Sequence, residues 1–117
     1  IVVTPPPCHQ KQYDEFCALN KFTTGTRSEQ QVKPYAESIH SLVTDLREEY
    51  GDRIHELNLW KNDAWLTPDS SLFCDGLHLS ASGNKLFFEA LSQVIDQIYD
   101  WKQIEKPYAV FAELFGK

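Results

Sequence analysis

The chain opens Ile1-Val2-Val3-Thr4-Pro5-Pro6-Pro7, and no other stretch narrows its possible folds as far. A run rich in β-branched side chains favours an extended strand. The prolines that follow carry no backbone N–H, so a sheet ladder cannot continue past Thr4. A continuous apolar strand of this kind suits a parallel sheet covered on both faces. Arg53 to Leu59, with Ile54, Leu57 and Leu59 apolar, reads as a second short strand. Between the two, Tyr35, Ile39, Leu42, Val43 and Leu46 fall on one face at helical spacing. That helix is expected from Ser28 or nearby to about Tyr50, with Pro34 in an early turn and Gly51 just past its end. Strand, helix, strand is the βαβ order of a parallel sheet.

The rest is less regular. Residues 8 to 26 show no clear period and read as a long loop holding Gly25, with about one helical turn. Trp60 to Cys74 reads as irregular, with Asn62-Asp63 and Pro68-Asp69 as turn signals. Ser80 or Ser82 should cap a last long helix. Phe87, Leu91, Val94 and Ile98 line its apolar face, with Phe88 and Ile95 beside them. The tail from Trp101 to Lys117 alternates polar residues with Tyr108, Phe111 and Phe115, a pattern suited to packing over the domain or onto a partner. The 117 residues fit one domain. Yet two strands do not make a stable sheet alone, and the chain has no methionine, position 1 included. Both features are expected of the later part of a longer protein.

Charge and composition narrow the function. The net charge is −6, with no cluster of Lys and Arg, which argues against a nucleic-acid surface. No apolar run approaches the roughly 18 residues of a membrane helix. The opening lacks the basic start of a secretory signal. Three cysteines without regular spacing, Cys8, Cys17 and Cys74, favour free thiols in a reducing, cytoplasmic compartment; a Cys8–Cys17 disulfide is the alternative.

The chemistry concentrates in SLFCDGLHLSASGNKLFFEAL, residues 71 to 91. Asp75 and His78 stand three residues apart before a helix, and residues so spaced in a helical turn can face the same way. An acid in that place fixes the histidine's tautomer and stabilises the imidazolium. Gly76 lets the backbone turn tightly between them. The bland alternative is an Asp-Gly turn ahead of a helix.

CDGLHLSASGNKLFFEAL resembles the last conserved block of the GDSL (SGNH) hydrolases, and most of all the isoamyl acetate-hydrolysing esterase branch. IVVTPPP resembles the family's strand and proline turn ahead of a substrate-side loop. RSEQQVKPYA resembles the start of the helix that follows, and DAWLTPDSSLFCDGLHLS the approach to the block. The resemblance implies a flavodoxin-like three-layer α/β/α sandwich with a parallel sheet. Residues 1–117 would be the C-terminal half of one such domain, with residues 101–117 as a C-terminal extension. It also implies hydrolysis of short-chain, acetate-type carboxylic esters with no metal or cofactor. Asp75 would be the acid and His78 the base of a Ser-His-Asp triad.

The family's Gly-Asp-Ser nucleophile motif and both its oxyanion-hole blocks are absent here. None of the serines at 28, 38, 41, 70, 71, 80, 82 and 92 sits in a nucleophile elbow. The nucleophile is therefore expected outside these residues, on a missing N-terminal half, and the chain alone is expected to be inactive. A second reading is a truncated, non-catalytic binding or regulatory form that dimerises through an exposed sheet edge. A third is an unrelated small α/β binding module.

Other residues read more plainly. His9, after the prolines, is a solvated loop histidine or lines the cleft; His40 and His55 are structural or surface. His9, Asp75 and His78 form no metal-ligand motif. Cys74 is expected to be a buried, inert thiol. Trp60, Trp65 and Phe73 wall an acyl pocket or, by default, belong to the core.

Overall fold

The computed structural model describes residues 1–23, 27–66 and 69–99. Its elements, in order, are strand β1 (Val2–Val3), helix α1 (Gln10–Asn20), helix α2 (Glu29–Tyr50), strand β2 (Glu56–Leu57), the short helix α3 (Asp63–Leu66) and helix α4 (Ala81–Ile98). Single 3-10 turns cover Gly51–Arg53, Leu59–Lys61 and Ser70–Leu72.

The strands pair in parallel, Val2 opposite Glu56 and Val3 opposite Leu57, in keeping with their strand–helix–strand order. The expectation of a three-layer α/β/α sandwich is overturned. Helices occupy 68% of the described residues and strands 6%, and the sheet is this one pair. The reason lies in the flanks. Past Thr4 the prolines have no amide to donate, and past Leu57 the chain curls into the turn at Leu59–Lys61. Side chains take over the cross-links there: Leu59 N donates to Thr4 Oγ1 at 2.9 Å, and Trp60 Nε1 to the carbonyl of Pro5 at 2.7 Å. Two strands of two residues are too small a sheet to be the middle layer of such a sandwich.

Residues 8 to 26 also differ from expectation: most of the predicted loop is α1. Its buried residues are only Tyr13 and Cys17, one turn apart, too few to show a period. Cys8, Cys17 and Cys74 are all free thiols.

α2 begins as the sequence implies. Ser28 Oγ accepts from Gln31 N at 3.3 Å while Gln31 Oε1 accepts from Ser28 N at 3.1 Å, a reciprocal capping box. Pro34 lies inside the helix, and its missing N–H leaves the Gln30 carbonyl without the usual partner. The buried line of α2 is Ala36 and Val43; Tyr35 and Leu42, expected on the packed face, are exposed.

The core gathers Leu57, Leu59, Trp65, Phe73 and Ala90, with Val3, Leu72, Leu79, Leu86, Phe87, Leu91 and Val94 packed around it. Trp65 and Phe73 meet edge to face, centroids 6.4 Å apart. These two are core, not the wall of a pocket. Phe88, on the other side of α4, is exposed. Gly83, in the first turn of α4, lets that helix press on the 3-10 turn before it, since a Cβ there would collide with the carbonyl of Leu72. Among the described residues no helix is long and apolar enough to cross a membrane. The tail from Trp101 to Lys117, Gly25 and Pro68 lie outside the described residues.

Candidate functional site

The segment from Phe73 to Ser80 folds back on itself. Phe73 and Leu79 form an antiparallel bridge, Cys74 N donates to the His78 carbonyl at 2.8 Å, and Ser80 N donates to the Leu72 carbonyl at 2.9 Å. Ser80, not Ser82, then caps α4, its Oγ accepting from Gly83 N at 3.2 Å and donating to the Ser71 carbonyl at 2.6 Å. The loop is closed by bonds among neighbours, as a short polar segment between two apolar ones must be.

Asp75 is used fully within it. Its Oδ1 accepts from Leu77 N at 2.9 Å and from His78 N at 2.8 Å, and its Oδ2 lies 2.7 Å from His78 Nδ1. The Asp75 side chain is 14% exposed and that of His78 is 75% exposed. A carboxylate only accepts, so Nδ1 carries the proton and Nε2 of a neutral His78 presents its lone pair outward. Among the described residues nothing hydrogen-bonds that Nε2.

Burial works against ionisation of Asp75, but the His78 amide, the His78 ring and the Leu77 amide all favour it, and the net effect holds the carboxyl below its usual range. A folded value below the unfolded one means that ionised Asp75 stabilises the loop above the ordinary carboxylate pKa. That contribution is lost as pH falls through the folded value. The Leu77 and His78 amide resonances should therefore report an acid transition of Asp75 with a midpoint under the ordinary 3.8. A midpoint at or above that value would contradict the bonding scheme.

The start of α1 backs the loop. His9 N donates to the Gly76 carbonyl at 2.9 Å, and Gln12 Nε2 donates to the Phe73 carbonyl at 3.2 Å. His9 caps α1, its Nδ1 accepting from Gln12 N at 3.2 Å. It is thus a structural cap whose backbone touches the site. Gln12 has no motif that would mark it in the sequence; only the approach of α1 gives it a place here. Cys74, expected to be buried, is exposed, with Sγ donating to the Leu79 carbonyl at 3.6 Å. The bridge turns residue 74 outward while 73 faces the core. His40 is paired with Glu56 rather than with this loop.

No protein-family model, curated protein or solved structure matches this chain. Among the described residues no group of three or more His, Cys, Asp or Glu is placed to hold a metal ion. What the loop offers is a shielded carboxylate, an imidazole held by it in one tautomer, and a free ring nitrogen open to solvent. That arrangement can take a proton from an approaching hydroxyl and hold the resulting charge.

Proposed function

We propose that Asp75 and His78 are the acid and base of a serine esterase of the GDSL (SGNH) type, acting on short-chain carboxylic esters such as acetates. The reading rests on the 2.7 Å contact between Asp75 Oδ2 and His78 Nδ1, with Nε2 left open. His78 takes the proton of a serine hydroxyl as that oxygen attacks the ester carbonyl, then gives it to the departing alcohol. Asp75 stays ionised and holds the imidazolium. Water repeats the sequence on the acyl-serine. No metal or cofactor takes part.

The serine and the oxyanion donors belong to residues other than these 117. Three of the serines here are otherwise employed: Ser28 and Ser80 cap helices, and Ser38 Oγ donates to the Pro34 carbonyl at 2.8 Å.

The test is to treat the longest polypeptide its gene encodes with a fluorophosphonate, which reacts with activated serines, and to map the adduct. The expected adduct is on one serine outside residues 1 to 117. An adduct on Ser80, Ser82 or another serine of this chain would overturn the proposal, as would ester turnover with no serine adduct.

A further inference from the structure

A second carboxylate–histidine pair stands elsewhere in the fold, and its histidine faces a lysine. Glu56, on β2, has a side chain only 7% exposed. Its carboxylate lies 2.8 Å (Oε2) and 3.1 Å (Oε1) from Nδ1 of His40 on α2, and Oε1 also accepts from Asn58 Nδ2 at 3.2 Å. The other ring nitrogen, His40 Nε2, is 2.7 Å from Nζ of Lys61. The carboxylate only accepts, so Nδ1 carries the proton and Nε2 accepts from the lysine ammonium. Acid, base and nucleophile thus stand in the order of a Ser-His-Asp triad, with an amine where the hydroxyl would be.

Beside Lys61 opens a cleft of about 240 Å³, with Ala36 and Trp60 among its walls. That is smaller than the roughly 300 Å³ at which pockets for drug-sized ligands begin. It suits an acetyl or similar short acyl group. Glu29, Glu37 and Lys33 also line it, so charges of both signs face the occupant and none singles out a charged donor.

We infer that Lys61 is a self-acylating residue that takes a short acyl group from a neutral activated ester, with His40 as its base. Lys61 loses one proton to solvent, and the amine that forms keeps an N–H directed at His40 Nε2. The free amine attacks the acyl carbon; the N–C bond forms and the ester C–O bond breaks. As the bond forms, His40 Nε2 takes the second proton from the nitrogen while Glu56 holds the imidazolium, and that proton then goes to the departing phenolate. The product is a stable amide on Lys61 and one phenol.

The experiment is a time course of the whole chain with p-nitrophenyl acetate, digested and read by mass spectrometry for acetyl occupancy at each lysine. Lys11 and Lys85 serve as internal references, since each lies exposed on a helix beside a glutamate and neither is hydrogen-bonded to an imidazole. Lys61 should acetylate at least about tenfold faster than either, the low end of what a positioned base contributes. His40→Gln should bring Lys61 down to the reference rate, and Glu56→Gln should slow it. His78→Ala should leave it unchanged, which separates this chemistry from ester hydrolysis. Labelling of Lys61 no faster than Lys11 or Lys85 in the unmutated chain would overturn the inference without recourse to any variant.

Discussion

Replacing His78 with alanine should lower kcat for p-nitrophenyl acetate by about 10⁵-fold or more in the polypeptide that also carries the serine. A serine hydroxyl is a weak nucleophile until a base removes its proton, and on the proposed function His78 Nε2 is that base. The fold should barely register the change. The imidazole is 75% exposed and its ring makes one hydrogen bond, to Asp75. With one partner this open to solvent, the pair contributes about 1 kcal/mol. The loop keeps its other ties, because Asp75 Oδ1 bonds the backbone amides of residues 77 and 78, which any side chain leaves in place. Steady-state kinetics and a urea melt of the same preparations check both halves. Turnover near the unmutated rate would remove His78 from the mechanism.

Gly76→Ala should have the opposite profile, a large loss of stability from one added methyl group. Gly76 sits at φ +91°, where a side chain is strained in any surroundings. Its surroundings are also full. A Cβ would collide with the backbone N of Tyr13 and stand 2.7 Å from the His9 carbonyl oxygen and 2.8 Å from the Tyr13 Cα. All three are backbone atoms of α1 and the residue capping it, so no rotamer change relieves the contact. Strain of about 1–3 kcal/mol and overpacking of a similar size together predict a loss of about 3–5 kcal/mol. At an m-value of about 1.5 kcal/mol/M the urea midpoint should fall by about 2 M or more. A fall of less than about 0.3 M would mean that α1 and the loop separate at little cost. The backbone of α1 and the Asp75 loop would then not be a single packed unit.

These two positions also mark where sequence reading succeeds and where it stops. The Asp75–His78 contact spans three residues and is closed by bonds within the same turn, so spacing alone conveys it. The capping box at Ser28 and Gln31 is legible for the same reason, as is a serine cap of α4, although it is the bonds of Ser80 to Leu72, Ser71 and Gly83 that choose it over Ser82. The parallel pairing of β1 with β2 follows from strand–helix–strand order. The extent of the sheet does not, because strand length depends on what each edge meets. Here prolines and a 3-10 turn end both strands after two residues.

α1 was hidden because its cap is a histidine rather than Ser, Thr, Asp or Asn, and because its order comes from distant partners, Gly76 and Phe73. The facing of α2 was misread at Tyr35 and Leu42 because period alone does not say which edge of an apolar stripe meets the core.

The local devices are legible in the amino-acid order alone: the serine caps of α2 and α4, the Asp75–His78 turn and the hand-over from strand to proline. Each is closed by residues close enough along the chain for backbone geometry to bring them together. That α1 exists as the backing of that turn, and that His40, Glu56 and Lys61 meet, follows from long-range packing. His40 lies 16 residues from Glu56 and 21 from Lys61. Contacts at such separations carry no local period. They form only because burial of Leu57, Leu59 and Val43 sets where β2, the turn after it and α2 come to rest.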